Sequence, residues 1–389
     1  ITGSGTIVTG TVLDGSLEAG IRLTLSPSGI ETRIRGLHAA GKSISRAKAG
    51  ERCAINLAGI EVNRIRRGHW LVEAGHEQTT SRIEVVLSAL KGRSDPIKHN
   101  SRIHLHIGAA DIEGRILIPS QGLIEPGKEA IVQIVLGEKI HAVNGDRFVI
   151  RDQAGRETIG GGRILDPFAT NRRNNARRQM ISAALSHFDP KVSLDALIQI
   201  PNLEIDAKWF TSCFNLTEAG FKAIYSEGNA IVLPAKSPLI MSRNRVEQAR
   251  GDILAQLDTF HKAQPSVAGM PSRLIETKLK QHFSVHTVQA LIHYFIAERI
   301  IESGGSFIKR VGFTPIIDKT EAQLWGKITD AVTHRGLRPF TASEIAHDLN
   351  VHDRVVNNLL NRRKTEPIDV FKMTEDRYFP VSYTHLRAH

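Results

Sequence analysis

Apolar and polar positions alternate in short runs throughout residues 1–168. One such run extends from Thr6 to Val12, and the turn signal Asp14-Gly15 follows it directly. Alternation with a period of two is typical of strands that bury one face, and Gly, Pro, Asn and Asp between such runs are typical of turns. Because the turn signals recur about every 8–12 residues, as they do in small barrels, the pattern predicts two successive all-β barrels. We place them at residues 1–76 and 77–168.

Beyond residue 168 the apolar period becomes that of helices. Val288, Leu291 and Phe295, for example, fall on one face of a helix. Short apolar runs such as AIVLP and SFIKRVGF, which suit small strands, interrupt the helical segments. Helices followed by a small hairpin form the winged-helix plan, a variant of the helix-turn-helix. The pattern therefore predicts three α+β winged-helix domains, at residues 169–239, 240–315 and 316–381.

The last of these segments has the complete order of elements. EAQLWGKITDAVTHRG, TASEIAHDLN and VHDRVVNNLLNRRK predict three helices, and IDVFKMTEDRYFP predicts a hairpin. Thr341, with Glu344 three residues later, predicts a capping box at the start of the second helix. We expect Val355 and Val356 to point inward from the third helix. An all-helical interaction domain that binds no nucleic-acid groove is the alternative.

The net charge indicates what kind of partner the chain binds. The 389 residues carry a net charge of +11 and have a pI of about 9.8, which favours a polyanionic partner, above all nucleic acid. A basic protein with solvated charged faces is the other interpretation. The two cysteines, Cys53 and Cys213, imply neither a disulfide framework nor a thiolate metal site, which suits a reducing cytosol. The chain contains no apolar run of the roughly 20 residues that span a bilayer, so we expect no membrane partner.

One motif suggests nucleotide chemistry. Residues 36–43, GLHAAGKS, match the pattern of a phosphate-binding P-loop, with Lys42 and Ser43 in the phosphate and metal positions. A P-loop needs a buried parallel strand before it and a helix after it. Here the preceding IETRIR alternates, and Gly50 would end any helix early. The context therefore favours a hairpin, and a P-loop NTPase is the alternative.

Three further patterns carry weaker signals. His104 and His106 form an H-x-H on one face of a strand, a spacing that zinc can use, but no third ligand is evident, so we assign no metal site. Gly160, Gly161 and Gly162 suit either a phosphate nest or a strand bend. Asp152 to Gly155 has the D-x-x-G spelling inside a predicted strand motif, which we interpret as coincidence. No catalytic residue is assigned.

Several stretches resemble translational GTPases of the elongation factor Tu type. GSGTIVTGTVLDGSLEAG is similar to the strand pair that opens their second domain, and AGERCAINLAG and RRGHWLV resemble later strands of that domain. IHLHIGAADIEGRILI and NGDRFVIRDQAGRETIGGGRILDP resemble their third domain. Elongation factor Tu has no winged helices. The combination, over residues 1–381, therefore resembles the bacterial selenocysteine-specific elongation factors.

This resemblance implies a role in protein synthesis. Members of the family carry selenocysteinyl-tRNA to the ribosome as a GTP complex, and their C-terminal winged helices bind an mRNA hairpin beside the UGA codon. It also implies a fragment without the GTPase domain, because that domain would precede Ile1 and the chain has no N-K-x-D guanine signature. GTP and Mg²⁺ would bind the missing domain, so we expect no cofactor and no catalysis here. We expect a cytoplasmic monomer whose partners are selenocysteinyl-tRNA, the ribosome and the mRNA hairpin, and a full-length parent that is a GTPase.

The resemblance assigns aminoacyl-tRNA contacts to both β domains. Arg52 matches a position that reaches the amino acid, and a guanidinium suits an ionised selenol. His38 lies where the family packs a side chain on the terminal adenosine, and a histidine can stack on a base. Arg147, Arg151 and Arg156 would contact tRNA phosphates. The alternatives are a surface arginine at a strand start, a half-buried barrel histidine and ordinary surface charge.

The helical half offers a second set of RNA contacts. The stretch NRRNNARRQ contains Arg172, Arg173, Arg177 and Arg178, and a solvated helix face is the alternative to RNA binding there. The predicted third helix of the last domain carries the remaining candidates, Arg354, Arg362, Arg363 and Lys364.

The C-terminal end limits what this chain can bind. Family members usually have four winged helices and read the hairpin mainly with the last. Because we predict three, we expect hairpin binding by this chain to be weak or absent. VSYTHLRAH breaks the pattern, and we expect residues 381–389 to be non-native. A winged-helix DNA-binding regulator stays open as a function from another class. It would not explain why the chain has two barrels.

Overall fold

The computed structural model describes residues 5–119, 122–170, 175–316, 319–336, 338–362, 369–372 and 377–381. The chain divides into two units. The first comprises residues 1–232 and 236–243, and the second comprises residues 233–235 and 244–389. The first unit contains both predicted β domains and the first helical segment, and the second contains the other two helical segments.

The first β domain is built on one bulged central strand. Its strands are β1 (Thr6–Thr11), β2 (Ser16–Glu18), β3 (Arg22–Ser26), β4 (Ile30–Ala39), β5 (Lys42–Ile44), β6 (Arg46–Lys48), β7 (Arg52–Ala58) and β8 (Trp70–Val72). The main sheet has the order β1-β7-β4-β3-β8, with β5 paired to β4, and β2 and β6 form a separate ribbon. Among the described residues this ladder is not closed, which corrects the prediction of a barrel over 1–76. The ring stays open because β8, only three residues long, pairs with β3 and leaves β1 as the other edge.

The alternation predicted from the sequence sorts the first β domain into an inside and an outside. Along β7, Cys53, Ile55 and Leu57 are buried in the core, whereas Arg52 is exposed. The core also takes Ile34 and Leu37 from β4. Burying these aliphatic side chains supplies the main favourable free energy for this sheet.

The strands of the second β domain form a closed barrel. Its strands are β9 (Thr80–Ala89), β10 (Ile97–Lys98), β11 (Arg102–Ile107), β12 (Ala110–Leu117), β13 (Leu123–Ile124), β14 (Glu129–Ile140), β15 (Arg147–Arg151) and β16 (Thr158–Asp166). Hydrogen bonds run around the closed order β11-β12-β14-β9-β16-β15, so the barrel predicted here is confirmed. Its interior is filled by aliphatic side chains such as Ile83, Leu87 and Leu105.

A short segment of the first β domain packs against the barrel. Gly68 has a φ of 92°, and a Cβ there would lie 2.6 Å from the Cβ of Ala110. Two residues later, Trp70 packs against His141 with 5.2 Å between ring centroids. The glycine therefore allows both the left-handed turn and the close approach of the two domains.

The first helical module covers one side of the barrel. Its elements are α1 (Asn175–Ala184), α2 (Pro190–Leu197), β17 (Ile205–Asp206), α3 (Ala207–Cys213), α4 (Glu218–Glu227), β18 (Ala230–Leu233) and β19 (Leu239–Ser242). The strands form a sheet of order β17-β19-β18. Leu165 of the barrel shares a core cluster with Leu185, Leu194 and Phe210, so barrel and module are continuous through apolar packing. The helical period of the sequence continues from Met180 to Phe188, but α1 ends at Ala184, and these two side chains are 52% and 75% exposed.

The second unit contains two further modules of three helices and a three-stranded sheet among its described residues. The second module comprises α5 (Arg243–Ala263), β20 (Met270–Pro271), α6 (Ser272–Leu279), α7 (Val285–Ala297), β21 (Ile301–Gly304) and β22 (Phe307–Arg310). The third comprises α8 (Lys319–His334), β23 (Phe340–Thr341), α9 (Ala342–Leu349), α10 (Asp353–Arg362), β24 (Asp369–Lys372) and β25 (Arg377–Val381). The capping box predicted at Thr341 and Glu344 is confirmed, with the Thr341 hydroxyl accepting from the Glu344 N–H at 3.1 Å. Of the expected non-native tail, residues 381–389, Val381 is the last residue of β25, and the others lie outside the described residues.

A single substitution in the β4–β5 turn is expected to stabilise the first β domain. Ala40 and Gly41 have φ values of 48° and 75°, and two positive φ values in a two-residue hairpin loop define a type I′ turn. Alanine is strained there, whereas asparagine tolerates this conformation. We expect Ala40→Asn to raise the free energy of unfolding of this domain by about 0.5–1 kcal/mol in urea titrations. Ala39→Asn, at a strand position, is the control; an equal gain there would contradict the turn-based explanation.

Candidate nucleic-acid interface

Arg52 and His38 lie on the same outer face of the first β domain. Ala54 of β7 is directly opposite His38 of β4, and Arg52 lies two residues before Ala54. The two side chains are therefore diagonal neighbours, which places such residues about 7–8 Å apart in a sheet. Both are exposed, and Thr11 of β1 faces Arg52 from the other side. The sheet register thus brings together two candidates that are 14 positions apart in the chain.

The GLHAAGKS stretch is a β-hairpin. Its first residues belong to β4, and Lys42 and Ser43 belong to β5, where Ser43 pairs with His38. Lys42 therefore extends from a strand and not from the start of a helix, so neither the helix dipole nor a ring of N–H groups faces it. The hairpin interpretation is confirmed, and the P-loop alternative is wrong at the level of backbone structure.

Arg147 and Arg151 lie on the outer face of the closed barrel. They are four residues apart on β15, so their side chains lie on the same face of the sheet, about 13 Å apart. Arg151 pairs across the sheet with His104, and Arg102 of the same neighbouring strand faces Arg115. This part of the barrel surface is therefore rich in arginine, although Glu113 lies beside His104. A groove of about 460 Å³ lies there, lined by residues that include Arg102, Arg115 and Gln153.

Arg156 lies in the turn that follows β15. The Asp152 carboxylate accepts hydrogen bonds from the N–H groups of Arg156 at 2.7 Å and Glu157 at 2.9 Å. These backbone bonds, led by that of Glu157, lower the pKa of Asp152. The D-x-x-G spelling is therefore a turn anchored by its aspartate, and it leaves the Arg156 side chain exposed.

The H-x-H pair has a carboxylate beside it that the sequence did not indicate. The Oδ1 atom of Asp111 lies 3.0 Å from His104 Nδ1 and 3.8 Å from His106 Nε2. The pairing of β11 with β12 creates this contact, because Asp111 faces His106 across the turn. Within the described part of the chain, however, no group of three or more His, Cys, Asp and Glu side chains is placed to hold a metal ion. The three residues form an ordinary surface cluster.

A row of buried polar side chains crosses the face of the barrel that α1 covers. Gln133, Glu84 and Asp166 lie opposite one another on three adjacent strands. Glu84 is only 2% exposed, and its carboxylate contacts Arg178 Nε at 3.0 Å and Gln133 Nε2 at 3.2 Å. Burial raises the pKa of Glu84 to about 7, although the Arg178 guanidinium and the Gln133 amide act in the opposite direction.

The third member of this row has an environment of its own. Asp166 accepts hydrogen bonds from the N–H of Phe168 at 2.8 Å and the indole of Trp209 at 3.3 Å. Burial raises the pKa of Asp166 to about 6. The sequence analysis missed this row because outward strand positions are normally solvated, and only the docking of the module buries them.

Two of the arginines proposed for RNA contact are engaged within the protein. Arg178 binds Glu84, and Arg177 donates to the backbone carbonyl of Asn202. Each side chain therefore has a partner within the protein, and RNA contact by either residue stays a prediction. Arg172 and Arg173 lie outside the described residues.

The third module presents part of its predicted nucleic-acid face. Arg354 is exposed near the start of α10, whereas Val356, Leu359 and Leu360 are buried. Val355 is 45% exposed, which corrects its predicted inward position, since the apolar stripe of the helix passes through the next residue. Arg362 ends α10, and its side chain, with all of Arg363 and Lys364, lies outside the described residues. None of the described helices is long and apolar enough to cross a membrane.

Comparison with known proteins supports the predicted relationship. The family model described as elongation factor Tu domain 2 matches residues 5–72, and the model described as the beta-barrel domain of selenocysteine-specific elongation factor matches residues 80–171. A selenocysteine-specific elongation factor of Desulfomicrobium baculatum is 24% identical over 393 aligned positions, which cover 97% of this chain. The comparisons support the selenocysteine-specific elongation factor family.

Two further matches agree with this family. The selenocysteine-specific elongation factor of Escherichia coli strain K12 is 31% identical over 166 residues, which cover 42% of this chain and 25% of that protein. The crystal structure of a bacterial selenocysteine-specific elongation factor, EF-Sec, has a similar fold, with a TM-score of 0.57 and 17% identity over 98% of this chain. This chain spans 60% of the Desulfomicrobium protein and 58% of the EF-Sec chain.

Proposed function

We propose that this chain is the part of a selenocysteine-specific elongation factor that binds selenocysteinyl-tRNA. The observation that carries the proposal is the shared outer face of Arg52 and His38, within the segment that matches elongation factor Tu domain 2. In this proposal the Arg52 guanidinium binds the selenolate and His38 stacks on the terminal adenosine. A selenolate is an anion, so a fixed cationic fork would favour it over the neutral hydroxyl of serine.

The remaining candidate residues would increase the affinity for RNA without recognising the RNA sequence. Arg147, Arg151 and Arg156 would bind phosphates of the tRNA from the outer face of the closed barrel. The three helical modules would be winged helices, and the face that bears Arg354 would approach RNA of the mRNA hairpin. Each module pairs helices with a three-stranded sheet, which supports this assignment.

The activity of the whole protein extends this proposal. The matched relatives are longer than this chain, and elongation factor Tu domain 2 belongs to a family of GTPases. We propose that GTP and Mg²⁺ bind a GTPase domain outside these residues, and that the complete factor delivers its tRNA to the ribosome in the cytoplasm at UGA codons marked by a hairpin.

Replacing Arg52 tests the proposed site. The chain should slow hydrolysis of the selenocysteinyl ester of a tRNA more than that of the seryl ester on the same tRNA. We expect Arg52→Ala to weaken binding of the selenocysteinyl form by about ten- to a hundredfold, because a charge-assisted hydrogen bond contributes about 1.5–3 kcal/mol, and to leave the seryl form nearly unchanged. Deacylation rates over a titration of the chain provide the measurement.

A matched arginine controls for general loss of charge. Arg46 is exposed in the same β domain, where it pairs with Glu18 at 3.4 Å on the β2–β6 ribbon, away from Arg52. Arg46→Ala should retain the preference for the selenocysteinyl ester. Equal protection of both esters by the unmodified chain, or an unchanged preference in Arg52→Ala, would contradict the proposed function.

A further inference from the structure

The outer face of the first β domain carries more positive charge than the proposed aminoacyl site uses. Arg22 of β3 and Arg33 and Arg35 of β4 are all exposed. They lie toward the opposite end of the sheet from Arg52, since Arg33 is opposite Ala58 at the end of β7, whereas Arg52 begins that strand. These three arginines, which we call the distal arginine cluster, have no role in the function proposed above.

The sheet register concentrates the cluster. Arg22 and Arg33 are directly opposite each other on neighbouring strands. The register of β4 against β7 shifts between Ile34 and Gly36, so Arg35 is an extra residue at a bulge. A bulge changes the direction in which side chains point. Here it adds an exposed Arg35 beside Gly36 and Asn56, which lie on the outer face.

The charges of the cluster are not neutralised within the described structure. No hydrogen bond or ion pair from Arg22, Arg33 or Arg35 to another described residue is present, unlike that of Arg46 to Glu18. The acidic residue that shares β4 with the cluster is Glu31, which is exposed. Like charges that face each other on adjacent strands destabilise a sheet, so this arrangement is better suited to a bound state in which a polyanion supplies the counter-charge.

We propose that the distal arginine cluster is a second RNA-binding site, which binds the phosphate backbone of RNA without reading its sequence. Three arginines and no lysine favour phosphate, because a guanidinium offers paired donors that match two phosphate oxygens. Arg33 and His38 are five residues apart on β4, or roughly 16 Å, so one phosphate cannot contact both ends of the face. The inference rests on the proposed function only in that both require RNA on this face.

Salt dependence of RNA binding tests the cluster directly. The probe is a fluorescent single-stranded RNA of about 20 nucleotides that lacks an aminoacylated end, titrated with the full chain at several salt concentrations. Each phosphate contact contributes about −0.7 to the slope of log K against log salt for a single strand. The double variant Arg22→Ala/Arg33→Ala should reduce the magnitude of the slope by about 1.4 and weaken binding about tenfold near 0.1 M salt.

Two variants and one competitor make the outcome decisive. Arg46→Ala should leave the slope unchanged, and Arg22→Lys/Arg33→Lys should retain most of it. The proposal is overturned if the double alanine variant, shown to be folded by circular dichroism, behaves as Arg46→Ala does, or if the unmodified chain does not bind the RNA. Displacement of the RNA by poly-glutamate of equal charge would instead identify an acidic protein surface as the partner.

Separate readouts distinguish this inference from the proposed function. The preference for the selenocysteinyl over the seryl ester depends on Arg52 and should be intact in Arg22→Ala/Arg33→Ala. A lost preference in Arg52→Ala with no change of slope in the double variant would support the proposed function and overturn the second site. The reverse pair of results would support the second site alone.

Discussion

Replacing Gly162 with alanine is expected to destabilise the closed barrel by about 3 kcal/mol or more, the upper end of the range for overpacking a core. A Cβ at this position would overlap the carbonyl oxygen of Val86 and lie 3.1 Å from Cζ of Phe148. The nearest atom is backbone of the neighbouring strand β9, which cannot move without breaking the ladder that closes the barrel. The strain therefore cannot be relieved by a side-chain rotation.

The neighbouring glycines predict an order of effects. Cβ atoms at Gly160 and Gly161 would lie 2.5 Å from the Ser88 oxygen and 2.9 Å from the Phe148 oxygen, so Gly160→Ala and Gly161→Ala should destabilise less than Gly162→Ala, whose Cβ would come closer to backbone. Gly10→Ala is the control, because a Cβ on this strand glycine would have no heavy atom within 4 Å. Amide hydrogen exchange of the barrel strands in urea measures each change locally. If the barrel amides were as well protected in Gly162→Ala as in Gly10→Ala, the result would contradict the explanation.

These glycines also show where the sequence analysis reached its limit. The triplet was open to two interpretations, a phosphate nest and a strand bend. The structure places all three within β16, between β9 and β15, where close approach of two backbones requires them. A nest requires successive N–H groups that converge on one point, whereas these belong to strand pairing. Which strands flank β16 is a long-range property that no local pattern reports.

The alternating pattern predicted individual strands well and sheet closure less well. Both β domains show the same period of two, yet only the second has a closed ladder in the described residues. Alternation reports which side chains face the core, and both an open and a closed sheet satisfy it. Closure depends on which strands pair at the two edges, and the three residues of β8 have no sequence signal that fixes this.

The candidate site, too, could be predicted from the sequence only in part. The pairing of His38 with Ala54 that brings it near Arg52 follows from the bulge in β4, and residue types alone did not predict it. Family resemblance selected both residues, and the register explains why they can act together. Arg178, in contrast, had the composition of an RNA contact but binds Glu84, because the partner lies 94 positions earlier on a strand that α1 covers.

That buried carboxylate gives the second large expected effect, a fall in barrel stability as the pH rises. The pKa of Glu84 is about 7 in the folded protein and 4.5 for the unperturbed group. A group whose folded pKa is raised stabilises the fold fully below its unfolded pKa, and this contribution is lost as the pH rises through the folded pKa. We therefore expect the Glu84 contribution to decrease by about 3 kcal/mol between about pH 4.5 and pH 8.

The variant Glu84→Gln isolates this contribution, because glutamine does not titrate. The free energy of unfolding of Glu84→Gln minus that of the unmodified chain should rise by about 3 kcal/mol over the same pH range, whatever constant offset the lost ion pair adds. Asp166, with its pKa raised to about 6, titrates in both proteins, so the difference reports Glu84 together with the repulsion between Glu84 and Asp166. A difference that stays flat, or that falls with pH, would contradict the assignment.

A second variant tests the cause of the raised pKa. The Arg178 guanidinium acts against burial and lowers the pKa of Glu84, so removing it with Arg178→Met should raise that pKa further. The loss of stability should then extend to higher pH than in the unmodified chain, and the barrel should be less stable than the unmodified barrel at about pH 8, where an ionised Glu84 would have no cation beside it. Because Glu84 and Arg178 join the barrel to α1, protection of the α1 amides should fall together with that of β9. Loss of protection in β9 alone would mean that the helix docks through its apolar contacts and that the buried ion pair contributes only to the barrel.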